Sequence, residues 1–149
     1  MLEETMNIYK TARRNAGITQ EAAAEQLGIS VESVRAYETG QRIPPNRVVS
    51  RMVICYNAQR LAVQHVNLYD ELASSIIPII HPRSLMEAVV RLFNRLTRFF
   101  NNHSVERLLE IAEDGRIDEE ERPEFDAIVE DLKELIQCGM ELRFCERGE

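Results

Sequence analysis

Arg35 and Glu32 bring a guanidinium and a carboxylate to one face of a short predicted helix, with Val31 and Ala36 beside them. This face is short-armed and hydrogen-bonding rather than uniformly apolar, which suits contact with base edges better than burial in a core. The elements that must position it are written in the same stretch, TQEAAAEQLGISVESVRAYETG from Thr19 to Gly40. Ala23, Ala24 and Leu27 recur at helical spacing, and Gly28 stops that helix where a positive φ is needed. Ser30 is placed to cap a second helix, whose Val34 and Tyr37 (i, i+3) point inward and which Gly40 ends. Two short helices with so little between them must cross steeply. The second then projects from the body, narrow enough to enter a major groove.

At these residues the chain resembles the Cro/CI-type, or XRE-family, DNA-binding domain. The matching signs are Thr19-Gln20-Glu21, Leu27-Gly28-Ile29-Ser30, and Val34-Arg35-Ala36-Tyr37-Glu38-Thr39-Gly40. Arg13, Ala16-Gly17-Ile18 and Arg42-Ile43-Pro44 fit on either side, so the likeness covers roughly residues 5–60. It implies a lambda-repressor-like head in which Val31, Glu32, Arg35 and Ala36 face base edges. Arg35 would fork onto guanine, Glu32 would accept from cytosine N4, and Val31 or Ala36 would meet a thymine methyl. Glu32 departs from the amide common there in phage repressors, and its alternative role is to hold Arg35 by an i, i+3 contact. The resemblance also gives Gln20 a phosphate. Ser30, Gln41, Arg42 and Arg47 are further phosphate candidates by position. Arg13 and Glu38 correspond to a family pair that bridges the first and third helices and aims the recognition helix.

Composition fits this division of labour. Residues 1–60 hold eight Lys/Arg and six Asp/Glu, whereas residues 61–149 hold ten and nineteen, so balances of +2 and −9 make up the net −7. A lobe that meets phosphate should be the less acidic one, and +2 predicts weak, easily salted-out non-specific binding. An apolar content of 44% is enough for a packed core. No stretch approaches the ~20 apolar residues that span a bilayer, and MLEETMNIYK carries no signal-peptide pattern. Cys55, Cys138 and Cys145 lack metal-site spacing and read as reduced thiols of a cytoplasmic protein, the last two on one helix face as small hydrophobes. His65, His81 and His103 are scattered and make no triad or metal motif. No enzyme, cofactor or metal centre is expected.

Glycine and proline are sparse and no run alternates with period two, which predicts an all-α chain. A first helix is expected over about Asn7–Ala16, then the motif helices at about 20–27 and 31–39. Val48, Val49, Met52, Val53 and Tyr56 continue helically and extend through Leu61, His65, Leu68 and Leu72, as one helix or as two broken near Asn57. Ile76 to Pro82 is an apolar, proline-interrupted connector, expected to be buried. Ser84 to Glu87 forms a capping box, opening a helix with Ala88, Leu92, Leu96 and Phe99. Ser104 is read as the cap of another, with Val105, Leu108, Leu109 and Ala112 inward and Asp114-Gly115 as its end. A last helix from about Glu119 or Pro123 aligns Phe125, Ile128, Val129, Leu132, Leu135, Ile136 and Leu142.

Residues 1–60 are therefore read as the DNA-binding head and 61–149 as a helical bundle for dimerisation or interaction. The bundle is similar to the C-terminal region of small XRE-class regulators of Gram-positive bacteria and their mobile elements, through Met52 to Asn57 and Ile111 to Asp118. Asp114, Gly115, Ile117 and Glu121 match the second half of an EF-hand loop. Ala112 and Glu110 break its first half, so a turn followed by an Asp118–Glu121 capping box is the favoured reading. Leu92, Leu96, Phe99 and Phe100, edged by Arg91, Arg95 and Arg98, are either core or a dimer surface. The expected function is a sequence-specific transcription regulator, a repressor, binding double-stranded DNA as a homodimer on two half-sites. The alternative is an interaction protein whose acidic bundle binds a basic partner, with DNA secondary.

Overall fold

A computed structural model describes residues 7–145. Among them the chain is all-α, with nine helices and no strand: α1 (Ile8–Asn15), α2 (Gln20–Leu27), α3 (Val31–Glu38), α4 (Asn46–Cys55), α5 (Gln59–Tyr69), α6 (Glu71–Ile76), α7 (Leu85–Asn101), α8 (Ser104–Ile111) and α9 (Arg122–Arg143). No described helix is long and apolar enough to cross a membrane. The chain divides into two compact units, Met1–Ile77 and Pro78–Glu149.

In the first unit each early helix starts where a side chain accepts the orphan N–H groups of its first turn. Asn7 Oδ1 takes the N–H of Tyr9 and Lys10, Thr19 Oγ1 that of Ala22, and Ser30 Oγ that of Ser33. Gly28 closes α2 at φ +66°, a left-handed angle that costs other residues strain. The Leu27 carbonyl left over at that end accepts from Arg51 Nη1 at 3.1 Å. Tyr9, Ala23, Leu27, Tyr37, Val49 and Met52 form the centre of the core.

α4 and α5 are separate helices, broken at Asn57, whose φ is +49°. The unit runs past residue 60 because α5 closes its core. Leu61 is buried there, and His65 lies between two distant partners, with Nδ1 2.7 Å from Tyr9 Oη and Nε2 2.9 Å from Asn46 Oδ1. Burial lowers the His65 pKa, which favours the neutral ring between these neutral partners. Asp70 breaks the pattern again, capping α6 through Ala73 N–H.

In the second unit α7 opens on the capping box, with Ser84 and Glu87 exchanging backbone bonds. α7 packs along α9, and the pairs Arg91–Glu141, Arg95–Glu134 and Arg98–Asp131 descend on one helix as they ascend on the other, so the two run antiparallel. Glu141 is 1% exposed. Its carboxylate accepts from Arg83 Nε at 2.5 Å, from Gln137 Nε2 at 3.2 Å and from the His81 N–H at 3.4 Å. Burial pushes that carboxyl up, but the Arg83 hydrogen bond, the remaining donors and the Arg83 charge prevail and hold it below the ordinary carboxylate range. Cys138 and Cys145 are buried nearby in sequence, as small hydrophobes.

Several expectations fail here. The Ile76–Pro82 connector is not uniformly buried: Ile76, the last residue of α6, and Ile79 are exposed, while Ile77, Pro78 and Ile80 are half-buried. Its tether is polar, through His81 and Glu141. α8 buries Ser104 and Ile111 rather than Val105, Leu109 and Ala112, which are exposed. Ser104 is the first residue of that helix, and the capping position falls to His103 at φ +53° without a side-chain bond. In α9 Ile136 is exposed, and in α7 Leu96 is 38% exposed rather than buried.

Arg83→Ala strips the strongest donor from a buried carboxylate and is expected to destabilise the fold by about 3 kcal/mol. Glu141→Gln replaces the charge by a neutral amide and should cost less. Urea denaturation of both variants measures the order, and a larger loss in Glu141→Gln would refute the account.

Candidate nucleic-acid interface

α2, the Gly28–Ser30 turn and α3 place the predicted residues as follows. Val34, Tyr37 and Glu38 face inward and are buried. Glu32 and Arg35 are exposed, and Val31 and Ala36 are half-buried at the edge of the same outer face. The face therefore offers a cation, an anion and two small apolar groups, the chemistry that can discriminate base edges.

What orients Arg35 comes from the inside. Arg13 and Glu38 form a two-pronged pair, with Nε to Oε1 at 2.5 Å and Nη2 to Oε2 at 3.0 Å, and side chains 9% and 3% exposed. A third Arg13 nitrogen donates to the Ile18 carbonyl at 2.6 Å, so the guanidinium ties α1, the α1–α2 turn and α3 together. Gln20 Nε2 donates to Glu38 Oε2 at 2.8 Å, and Gln20 Oε1 accepts from Arg35 Nε at 3.3 Å. A relay thus runs Arg13–Glu38–Gln20–Arg35, from the core to the outer face. Glu21 lies 3.8 Å from Arg35 Nη2. Glu32 is not what holds Arg35: the start of α2 lies beside α3 and offers Gln20 and Glu21 instead.

Burial pushes the Glu38 carboxyl up, but the bonds from Arg13 and Gln20 and the Arg13 charge outweigh it, and the group titrates below the usual carboxylate range. Arg13 is shifted up by its bond to Glu38. Both stay ionised at neutral pH.

The phosphate candidates fall into two groups. Ser30 caps α3, and its hydroxyl is 3.0 Å from Ser33 Oγ, which in turn accepts from Arg42 Nη2 at 2.8 Å. Arg42 also lies over the Tyr37 ring, 5.3 Å from its centroid, so the turn after α3 is packed onto the helix it follows. Gln41 is exposed in that turn and Arg47 in the first turn of α4. Gln20 uses its carbonyl and one N–H within the relay, which leaves its second N–H for a phosphate. Ser33 was not singled out from the sequence, although its i+3 spacing from Ser30 was a usable signal. The Glu21–Arg35 and Gln20–Glu38 contacts had no local signal.

The acidic turn after α8 uses its carboxylates on its own backbone. Asp118 Oδ1 accepts the Glu121 N–H at 2.8 Å, and Glu121 Oε2 accepts the Asp118 N–H at 3.2 Å. No group of three or more metal-ligating side chains occurs among the described residues.

Residues 10–66 match the family described as a helix-turn-helix domain. That match spans α2, α3 and the relay, and reaches through His65 of α5, so the domain is of a kind that points to a DNA-binding regulator. No curated protein and no solved structure matches the chain.

Arg13→Ala leaves Glu38 as an unpaired buried carboxylate and should cost about 3–5 kcal/mol, with the double variant losing less than the sum of the two singles. The pH dependence has a definite sign. Glu38 is depressed when folded, so its contribution is complete above its unfolded value near 4.5 and is lost as the pH falls through its lower folded value. Denaturation between pH 6 and 3 should show Glu38→Gln to be less acid-sensitive than the wild type.

Proposed function

We propose that this chain is a Cro/CI-type, XRE-family transcription regulator that binds a two-half-site operator as a homodimer and acts as a repressor in the cytoplasm. The observation that carries the reading is the outer face of α3, where Arg35 is exposed yet oriented by a relay anchored in the core. A recognition side chain held this way loses little freedom on meeting a guanine edge. Arg42, Gln41 and Arg47 flank that face and serve phosphates, with Ser30 and Gln20 beside them, while Val31, Glu32 and Ala36 complete the base contacts.

Two heads are needed because one helix-turn-helix covers little DNA, and twofold pairing sets the recognition helices one turn, ~34 Å, apart. Repression then requires only that the operator be occupied. A basic partner for the acidic unit is the weaker reading, since Glu124, Asp131, Glu134 and Glu141 already pair with arginines of the same unit.

Selection from a random DNA pool, followed by gel shifts, tests this. Arg35→Ala should weaken the selected site by about 1–3 kcal/mol and relax one base pair per half-site. Arg42→Ala should weaken all DNA alike and reduce the salt slope by about one per head. Equal losses on every sequence for Arg35→Ala would reassign it to phosphate, and absence of any retarded fragment would refute DNA binding.

A further inference from the structure

α7 has two apolar faces, and its own unit uses only one. Ala88 and Phe99 are buried. Met86, Val89, Phe93, Leu96 and Phe100 recur at the alternating three- and four-residue spacing of a heptad seam, with Val90 beside them. These six side chains are between 38% and 72% exposed. Proteins seldom leave a continuous apolar stripe of that length in water.

The charges around the stripe narrow down what covers it. Flanking positions Leu92 and Phe99 on one side, and Val90 and Thr97 on the other, carry none. The charged groups of α7 are engaged elsewhere: Glu87 in the capping box, and Arg91, Arg95 and Arg98 with the acids of α9. A basic partner would be drawn to the acid run of Asp118–Glu121, not to this neutral seam. For two copies of an acidic unit the seam is the approach that meets no like charge.

We infer that a second copy of the chain docks here, α7 against α7. Six side chains at these exposures offer roughly 600 Å² per copy, so a pair buries about 1,200 Å², the lower edge of the ~1,200–2,000 Å² range of stable interfaces. Phe93 is the middle of the seam, with Val90 and Leu96 three residues either way and Met86 and Phe100 seven residues either way, so a twofold centred there sets Phe93 beside its own copy. This deepens the homodimeric reading above and rests on it for its consequence on DNA. The association itself is measured without DNA.

Sedimentation of the full chain across micromolar concentrations is the test, with Phe93→Glu and Met86→Glu as seam variants and Ile54→Glu, an exposed site on α4, as the control. The wild type and Ile54→Glu should sediment as dimers. Each seam variant should weaken the dimer at least about 100-fold while keeping the wild-type helical circular dichroism, since its substituted position is solvent-exposed. A monomeric wild type overturns the inference and leaves the seam to a different chain. A dimer that survives both seam variants overturns it by placing the interface elsewhere. Gel shifts on the same samples separate the two readings: dimers that bind no DNA leave the interface standing and refute the DNA function alone.

Discussion

The Arg13–Glu38 pair is the constraint on which the first unit depends. Two opposite charges, almost wholly removed from water, are tolerable only because each meets several hydrogen-bonding groups: Glu38 takes Arg13 twice and Gln20 once, and Arg13 also reaches the Ile18 carbonyl. Such a pair is weak evidence for stability, because an apolar replacement of similar shape often does as well. What it supplies here is direction. It spans 25 residues of sequence, fixes α3 against α1, and presents an oxygen that holds Gln20, whose carbonyl steadies Arg35. A hydrophobic pair in the same place would pack the helices without fixing the guanidinium outside.

The second unit applies the same physics with a different result. The arginines of α7 lie against α9 and meet its acids, and Glu141 is the buried member that gathers Arg83, Gln137 and the His81 N–H. Since the charges of α7 are drawn to that side, the side left over is apolar. An amphipathic helix usually buries its apolar stripe and hydrates its charges. α7 instead buries a narrow stripe, engages its arginines at the edges, and leaves a second stripe outside. Helix pairing within the unit and the seam that faces away from it are thus two results of one distribution of residues.

Local signals made the first three helices legible nearly to the residue. Thr19, Ser30, Gly17, Gly28 and Gly40 each act on the turn beside them, and the Ser84–Glu87 box acts on its own helix. What escaped the sequence was tertiary or ambiguous in phase. His65 belongs to the first unit because its partners, Tyr9 and Asn46, are 56 and 19 residues away, a relation no window of periodicity contains. In α8, Val105, Leu108, Leu109 and Ile111 lie on several sides of a helix of eight residues, so apolar spacing alone does not say which side packs. In the connector, apolar composition does not translate into burial, because its hold is the polar His81–Glu141 bond. Glu21 and Gln20 reach Arg35 only once α2 and α3 are set against each other.

The relay also grades its own stiffness. At its inner end Arg13 and Glu38 are buried and doubly bonded, so removing either leaves a charge without water. At its outer end Arg35 meets Glu21 across 3.8 Å, with side chains 56% and 68% exposed. An exposed pair of that kind contributes at most about 1 kcal/mol, and salt screens it further. On the proposed reading, exchanging Glu21 for an acceptor on DNA would cost Arg35 little, while the Gln20 carbonyl would keep the guanidinium in place. Glu21 still has an effect in the unbound head: it partly neutralises Arg35 and so limits attraction to phosphate in general. If the proposed function holds, a near-neutral head with a restrained Arg35 would favour sites that offer a matched acceptor over those that offer only negative charge, which is the balance sequence-specific binding needs.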